Sequence, residues 1–396
     1  MTKKISNTKD HPMDSMPLDF TALRRRPDVE APNLQAHDAA DLLLLDTARE
    51  SGALAAAADG KLVVLGDHYG ALVLGAVARG ATGVRVHQDG LSGQRAIDAN
   101  AAGLLPQSAG AYRHLPLDAA LVEGATLVLM ALPRSLDALE EMAALLAKHA
   151  DPSVTLLATG RVKHMSLAMN EVLGRYFGEV SAGLARQKSR VLTASAPLAP
   201  DALPASRFPL ACAHAVGLAS DLELRAFGAT FGGAKLDPGT RFLLLHLAGA
   251  REAATAIDLG CGNGTITAYL ALIRPSMHVL GCDQSASAVA STLATAAANG
   301  VTARVTALRD DALSAQPDAS ARLIVLNPPF HMGNTVHAGI ALKLIADAGR
   351  ALEPGGELWC VWNSHLGYRG ALEKLVGPTR QVDRNPKFTV TVSTRK

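Results

Sequence analysis

Two regions of the sequence repeat one order of local signals: an apolar strand, a glycine-rich turn and a helix. The second region, AATAIDLGCGNGTITAYLALI, spans residues 253–273, and its strand ends at Asp258 just before three closely spaced glycines. The first, KLVVLGDHYGALVLGAVARG, spans residues 61–80 and carries Gly66 where the second carries Gly260. Strands and helices alternate after each region, which is typical of parallel sheets covered by helices. The chain is therefore predicted to be α/β, with two tandem Rossmann-like, doubly wound domains whose mostly parallel sheets end in an antiparallel edge hairpin.

The spacing of three landmarks supports an internal duplication. The second landmark follows the first by 23 residues in both copies, and the third follows it by 67 residues in one copy and 69 in the other. The landmarks are Gly66, Asp89 and Pro133 in the first copy, and Gly260, Asp283 and Pro329 in the second.

The two copies differ at the positions where chemistry is expected. Val64 stands where the second copy has Asp258, and His68 replaces Gly262. The first copy reads MALP where the second reads LNPP, so its side-chain amide is absent. The first domain is therefore predicted to be a degenerate copy that keeps the scaffold and is catalytically silent.

Composition and breakers divide the chain into four parts. A polar start (MTKKISNTKDHPMDS) predicts a mobile or loosely packed lead-in, and ASAPLAPDALPASRFP has the composition of a linker. The predicted parts are the lead-in at 1–35, the degenerate domain at 36–195, the linker at 196–209 and the catalytic domain at 210–396.

Local signals also place the later elements of the second domain. They predict strands at 304–308, 323–326 and 357–362, and a terminal hairpin made of 379–384 and 388–394.

The charge of the chain is small overall but uneven along its length. The formal net charge is +2, which by itself does not indicate a binder of polyanions. Residues 161–190 hold six basic and two acidic side chains, a local excess of +4. Such a segment is either a solvated helix face or a contact for phosphates. The candidates for phosphate contacts within it are Arg161, Lys163, Arg186, Lys188 and Arg190.

Other features narrow the class of protein. The four cysteines form no CxxC pair, and no cluster has zinc-ligand spacing, so buried free thiols in a reducing compartment and no metal are expected. No apolar run reaches the length that spans a membrane. The chain is expected to be a cytoplasmic monomer without membrane association.

The glycine turn and the acids at the strand ends indicate one kind of ligand. The spacing G-x-G-x-G differs from the G-x-G-x-x-G of dinucleotide sites. An acid before the turn and a second acid at the next strand end suit S-adenosylmethionine, which carries an ammonium and a ribose diol. Asp258 would attract the amino-acid part, directly or through water, and Asp283 would bind the ribose hydroxyls. Asp310 or Asp311 would bind the adenine amino group, or would only cap the next helix.

The stretch LIVLNPPFHMG, residues 323–333, ends a strand in an amide, two prolines and a ring. The Asn327 side-chain oxygen and the Pro328 carbonyl oxygen could both accept from one exocyclic amino group. Phe330 offers a flat face for stacking of a base, which contributes roughly 1–3 kcal/mol. These residues are predicted to hold an amino nitrogen for transfer of a methyl group, with positioning as the main source of rate.

Together, DLGCGNG, the strand-end acids and NPPF resemble class I S-adenosylmethionine-dependent methyltransferases that modify planar amino groups. The longer NPPFHMG, the segment KLDPGTRFLL (235–244) and GRVKHMSLAMNEVLGRYFGEV are similar to bacterial ribosomal RNA guanine-N2 methyltransferases. The resemblance covers the chain from about residue 40 to its end.

The resemblance implies roles for particular residues. Asn327, Pro328 and Phe330 would hold the target guanine, and the silent domain with the basic segment would grip RNA. His331 would brace the loop or touch the base. The residues that would bind the cofactor are Asp258, Gly260, Gly262, Asn263, Gly264, Asp283, Asp310, Asp311, Asp237 and Thr240, of which the last two would close over the methionine end.

The function that follows is methylation of a guanine N2 in ribosomal RNA, with the small subunit favoured and the large subunit as the alternative. The same NPPF would serve adenine-N6 methylation, and it is similar to the site of glutamine-N5 methyltransferases that act on release factors. A non-catalytic RNA-binding or assembly factor is a further alternative, but the intact Asn327 and glycines of the second copy favour an enzyme.

Overall fold

The computed structural model describes residues 18–57, 59–329 and 335–396, with the backbone alone described over 335–338. These residues form two seven-stranded sheets and one two-stranded sheet. Consecutive residues of each large sheet alternate between two apolar clusters, so that both faces of the sheet are buried. Val63 and Val64 show this in the first sheet, and Ile257 and Ala256 show it in the second.

The first sheet has the strand order β3-β2-β1-β4-β5-β7-β6. The first five strands along the chain pair in parallel, and the last two add an antiparallel edge. The strands are β1 (Leu62–Leu65), β2 (Val84–His87), β3 (Tyr112–His114), β4 (Leu127–Ala131), β5 (Thr155–Arg161), β6 (Phe177–Ala182) and β7 (Ser189–Pro197). The helices are α1 (Ala39–Glu50), α2 (Ala53–Ala56), α3 (Ala71–Val77), α4 (Leu91–Leu104), α5 (Ala119–Val122), α6 (Leu136–His149) and α7 (Leu167–Gly174).

A hairpin of β8 (Leu210–His214) and β9 (Leu222–Ala226) leads into the second sheet. That sheet has the order β12-β11-β10-β13-β14-β16-β15, the order of the first sheet strand for strand. Its strands are β10 (Thr255–Leu259), β11 (His278–Asp283), β12 (Val305–Arg309), β13 (Ala321–Leu326), β14 (Leu352–Asn363), β15 (Thr379–Arg384) and β16 (Phe388–Thr394). The helices are α8 (Pro238–Leu244), α9 (Thr265–Ile273), α10 (Ala286–Ala298), α11 (Thr335–Ala351) and α12 (Arg369–Leu375). The predicted fold class is confirmed.

The predicted strands of the second domain agree with these bounds to within two residues, with one exception. The strand predicted at 357–362 begins at Leu352 instead, because Leu352 pairs with Ala321 across a bulge before the regular register starts at Leu323. Pro354 and Gly355 lie inside this stretch. Their turn chemistry indicated a loop, and the pairing that extends the strand is not local.

Strand register corrects one of the landmarks of the duplication. Leu65 pairs with His87, and Leu259 pairs with Cys282. The residue that follows His87 is Gln88, so Gln88 is the counterpart of Asp283 and the interpretation of Asp89 was wrong. Side-chain contacts agree. The backbone N–H two residues on donates to Gln88 Oε1 at 3.2 Å in the first domain and to Asp283 Oδ1 at 3.0 Å in the second.

The two domains meet through equivalent loops, those that follow β2 and β11. Gly90 and Ser285 form an antiparallel bridge. On either side of it, Leu91 N donates to Gln284 O at 3.0 Å, and Ala286 N donates to Asp89 O at 2.9 Å. The carboxyl edges of both parallel sheets therefore face one contact region, related by an approximate two-fold axis.

The described part of the expected lead-in, residues 18–35, differs from that expectation. Leu23 is buried, and Arg24 N donates to Asn100 Oδ1 at 2.9 Å. The Tyr69 hydroxyl donates to Asp28 Oδ2 at 2.6 Å. These contacts reach residues more than 40 positions away, so the composition of the segment could not indicate them.

Residues 198–209 run from β7 to β8 without helix or strand. In this stretch Arg207 pairs with Asp137 at 2.7 Å and with Glu140 at 3.3 Å, which ties the segment to α6.

Three of the four cysteines, Cys261, Cys282 and Cys360, are buried and free. Among the described residues, no group of three or more His, Cys, Asp or Glu side chains could hold a metal ion. No helix in the described ranges is long and apolar enough to cross a bilayer.

Candidate methyl-transfer site

The glycine turn after β10 borders open space. Gly260 and Gly262 have φ angles of 77° and 53°, which favour glycine, and a Cβ added at either would meet nothing within 4 Å. Gly264, at the start of α9, is different, because a Cβ there would lie 2.7 Å from the Thr292 Cα. The first two glycines therefore leave room for a ligand, and the third allows α9 to pack against α10.

Asn263 stabilises the turn and joins it to the loop before α8. Its Nδ2 donates to the carbonyl oxygens of Gly233 at 2.9 Å and Lys235 at 3.0 Å, and its Oδ1 accepts from the Thr265 hydroxyl at 2.7 Å. These bonds direct its side chain to the protein, and the expected contact of Asn263 with the cofactor stays a prediction.

Asp258 lies beneath the turn and is 1% exposed. Its Oδ2 accepts from Thr267 N at 2.9 Å and from Thr267 Oγ1 at 2.6 Å, while its Oδ1 is buried without a partner. Burial raises the pKa of this carboxyl to about 7, against the lowering effect of the Thr267 hydrogen bonds, and the nearby charge of Asp283 raises it further. With a buried unpaired oxygen and a raised pKa, the Asp258 carboxyl is suited to bind a cation, directly or through water.

Asp283 ends β11 beside the same turn. Its Oδ2 accepts from Gly262 N at 3.1 Å, and its Oδ1 accepts from Ser285 N at 3.0 Å. Desolvation raises the pKa of Asp283. Each carboxylate oxygen keeps further acceptor capacity, so the geometry allows it to bind a diol.

The carboxylates of Asp310 and Asp311, which follow β12, bind mainly to other groups of the protein. Asp310 is 1% exposed, and its carboxylate accepts from Asp311 N at 2.8 Å, Ala315 N at 2.7 Å and the Ser314 hydroxyl. The stretch from 310 to 320 contains no helix, so Asp310 stabilises its own turn and does not cap a helix as the alternative interpretation expected. Asp311 pairs with Lys343 at 2.6 Å, and its other oxygen lies 3.9 Å from Arg95 of the first domain.

Asn327 follows β13 and has a fixed amide. Its Nδ2 donates to Asp237 Oδ1 at 3.0 Å and to Thr240 Oγ1 at 2.8 Å, and its Oδ1 is buried without a partner. Because a carboxylate accepts and does not donate, the nitrogen of the amide must face Asp237 and the oxygen must face away. Asp237 and Thr240 therefore orient Asn327, and their expected closure over the methionine end of the cofactor stays a prediction. Among the described residues, nothing donates to the Pro328 carbonyl oxygen.

Phe330 and His331, which were predicted to stack on or brace the base, lie outside the described residues.

The equivalent place in the first domain is closed by its own side chains. Asp67, in the turn after β1, accepts from Gly70 N at 3.0 Å, Leu72 N at 3.0 Å and Val73 N at 2.8 Å. The amides at the start of α3 are thus satisfied internally, whereas Cys261 occupies the corresponding position before α9. The His68 side chain is exposed at the position of Gly262. The sequence did not single out Asp67, because it lies four residues before the first residue of α3 and outside the N-cap position, which Gly70 occupies.

The structure brings the predicted basic residues together where β5 ends and β7 begins, a region named the basic edge. Arg161 pairs with Ser189 across β5 and β7, and Val162 N donates to Lys188 O at 2.9 Å. Two of the arginines have acidic partners: Arg161 lies 3.0 Å from Asp38, and Arg186 lies 3.8 Å from Glu50. The five residues of this basic edge are Arg161, Lys163, Arg186, Lys188 and Arg190.

Sequence reasoning missed the roles of two residues at the domain contact. The carboxylate of Asp89 accepts from Ser287 N at 2.8 Å, and so caps α10 from the other domain. The guanidinium of Arg309 donates to the carbonyl oxygens of Gln88 at 2.7 Å and Asp89 at 3.0 Å. The first contact supports the segment that follows Asp283, and the second supports the loop that follows β2. Both join residues about 200 positions apart, so no local pattern indicated them.

Two family models match the chain. The RLMG N-terminal domain matches residues 13–198, and the Methyltransferase small domain matches residues 221–392. The two matches correspond to the two large sheets.

Curated relatives match nearly the whole chain. Ribosomal RNA large subunit methyltransferase G of Pseudomonas aeruginosa is 35% identical over 383 residues, which cover 96% of this chain and 98% of that protein. The protein of the same name from Streptomyces avermitilis is 34% identical over 380 residues, with coverage of 95% and 97%.

A solved structure has the same two-domain fold. The T. thermophilus 16S rRNA N2 methyltransferase in complex with AdoMet and guanosine superimposes with a TM-score of 0.71 at 21% identity, and covers 93% of this chain and 97% of that chain. The chain belongs to the family of the ribosomal RNA large subunit methyltransferase G, which confirms the resemblance found in its sequence and the predicted class of enzyme, an S-adenosylmethionine-dependent methyltransferase.

Proposed function

We propose that this chain transfers a methyl group from S-adenosylmethionine to the exocyclic N2 amino group of a guanine in large-subunit ribosomal RNA. The observation that carries the proposal is the Asn327 amide, whose nitrogen is held by Asp237 and Thr240 and whose oxygen is left as an acceptor. The sequence-based preference for the small subunit is revised to the large subunit, because the curated relatives bear the large-subunit name.

The second domain has the residues to hold the cofactor. Gly260 and Gly262 leave open space above the turn, Asp283 lies beside it, and the buried Asp258 beneath it attracts the ammonium group. S-Adenosylmethionine, when bound, supplies a methyl carbon on a sulfonium, so transfer forms a nitrogen–carbon bond, breaks a sulfur–carbon bond and releases a proton from N2 to water.

Asn327 and Pro328 position the amino nitrogen. Each of their free oxygens accepts one N2 hydrogen, which turns the nitrogen lone pair toward the methyl group. A buried acceptor without a partner costs about 1–3 kcal/mol, and the arriving base removes that cost at Asn327. Because this oxygen is shielded from water, the base reaches it only after neighbouring groups move aside. Alignment of the reacting atoms, rather than a strong base, then supplies the rate.

The first domain binds RNA and supports the catalytic domain. Its closed turn around Asp67 leaves no place for a cofactor, while the basic edge presents Lys163 and Lys188 to solvent. Contacts with phosphates supply most of the non-specific affinity of such proteins for RNA. The division of the chain into a silent domain, a linker and a catalytic domain belongs to this proposal, as do a monomeric state and a cytoplasmic location.

The test is methylation of purified ribosomal RNA, free and in subunits, with radiolabelled S-adenosylmethionine, followed by nucleoside mass spectrometry. N2-methylguanosine in the large-subunit RNA is expected. N6-methyladenosine or label in protein would favour the alternative substrates, and absence of label from every substrate would overturn the proposal. Asn327→Ala is expected to lose transfer while calorimetry shows unchanged cofactor binding.

A further inference from the structure

The carboxyl edge of the second sheet holds a second unpaired amide oxygen. Among the described residues, the Asn363 Oδ1 is buried without a hydrogen-bond partner, as is the Asn327 Oδ1. Buried polar atoms in folded proteins almost always have partners, so two such oxygens near each other indicate that their donors come from a ligand.

The two asparagines lie on the same face of neighbouring strands. Leu326 pairs with Cys360, so Asn327 is level with Val361, and Asn363 lies two residues further along β14. Side chains alternate along a strand, so Asn363 shares the face of Trp359 and Val361. Strand spacing and rise then place the Cα atoms of the two asparagines about 8 Å apart.

The contact between Asn327 and Thr240, at the start of α8, shows that the Asn327 side chain lies on this face. That helix packs its Leu243 and Leu244 into the cluster that contains Val361. Phe388 pairs with Asn363, and its ring lies 3.1 Å from the place of a Cβ on Gly239, which lies between Asp237 and Thr240. Asn363 and Asn327 therefore border the same first turn of α8.

Guanine has a matching set of groups. Next to its 2-amino group, the Watson–Crick edge of guanine presents the N1–H donor and then the O6 acceptor, and enzymes that act on a flipped base read this edge by hydrogen bonds. Adenine has an acceptor, N1, next to its amino group. An amide oxygen beside the amino-group site therefore favours guanine and opposes adenine.

We propose that Asn363 determines specificity for guanine by accepting a hydrogen bond from N1–H, while Asn327 accepts one from the 2-amino group. This inference rests on the proposed function and adds a recognition contact to the same site.

The test uses an RNA fragment that contains the methylated guanine, with 2-aminopurine placed at that position in a second fragment. 2-Aminopurine keeps the 2-amino group, but its N1 is an acceptor and it lacks O6. The wild-type chain is expected to prefer guanine by at least about 100-fold in kcat/KM, because a site built to bind a donor rejects an analogue without it. In Asn363→Leu the preference is expected to fall below about 10-fold, mainly through a higher KM for the guanine fragment.

Two variants make the outcome specific. Thr391→Val removes another buried unpaired oxygen, from the opposite face of the sheet, and should leave the preference unchanged. Asn363→Asp keeps an acceptor and should keep the preference for guanine. It also provides the test if Asn363→Leu fails to bind cofactor.

Two results would count against these ideas in different ways. If Asn363→Leu binds cofactor and keeps the full preference for guanine, or if Asn363→Asp loses it, the role of Asn363 is overturned and the proposed function stands. If the wild-type chain methylates no guanine, the proposed function fails, and the inference fails with it.

Discussion

Asp237 is expected to control catalysis by fixing the amide of Asn327. A single oxygen, Asp237 Oδ1, accepts from Thr240 N at 2.8 Å and from Asn327 Nδ2 at 3.0 Å. The first bond caps α8 and the second orients the amide, so a useful variant must separate the two. Serine is a good helix cap, but its side chain is one bond shorter and is not expected to reach Asn327.

The size of the effect follows from the lost hydrogen bond. A hydrogen bond to a charged group contributes about 1.5–3 kcal/mol, and each 1.36 kcal/mol changes a rate tenfold. Asp237→Ser should therefore lower the rate of methyl transfer about 10-fold to 100-fold. Because the cap is kept, the free energy of unfolding should change by less than about 1 kcal/mol. Asp237→Asn keeps an acceptor for both bonds and should lose less than about tenfold in rate.

Single-turnover methylation of the substrate RNA at saturating cofactor measures this rate, and calorimetry measures cofactor affinity. The reasoning predicts a slower rate with an unchanged Kd for S-adenosylmethionine. An Asp237→Ser variant with the full rate and weaker cofactor binding would refute it. That result would instead support the role expected from the resemblance, closure of Asp237 over the methionine end of the cofactor.

Three further predictions concern charge. The pKa of Asp258 is raised from 3.8 to about 7, so this group's contribution to stability is present below about pH 4 and is lost as the pH rises through 7. Asp258→Asn should flatten that decline, which urea unfolding at pH 5 and pH 8 would show, and an unchanged decline would contradict it. Asp89→Ala should weaken cofactor binding several-fold in calorimetry, because the carboxylate caps α10 beside Asp283, the residue proposed to bind the ribose. The matched control Asp98→Ala, whose carboxylate contacts Tyr112 and His114 of its own domain, should leave cofactor binding unchanged, and equal effects of both variants would argue against coupling between the domains. Replacing Lys163 and Lys188 together by alanine should lower RNA affinity and reduce the slope of log Kd against log salt by about 1.4. An unchanged slope in binding titrations would remove the basic edge from the RNA contact.

Local chemistry was sufficient to predict the fold of this chain. The glycine turn after Asp258 and the turn residues between 384 and 388 act over a few positions, so their strands could be located from sequence. The duplication was also visible, because it preserves spacing. The positions of the glycines, Asp283 and Asn327 at strand ends followed from the rule that parallel strands of a doubly wound sheet place their carboxyl ends at one edge.

Only the tertiary structure decided which groups are already satisfied by the protein and which remain for a ligand. The amide of Asn327 is oriented by Asp237, 90 residues earlier, and the carboxylate of Asp310 accepts hydrogen bonds from the turn that follows it. Register, rather than interval, identified Gln88 as the counterpart of Asp283. Hydrogen bonds of this kind depend on direction and on distances near 3 Å, and a sequence records neither. The order of strands is determined by patterns along the chain, whereas a free acceptor is determined by everything that surrounds it.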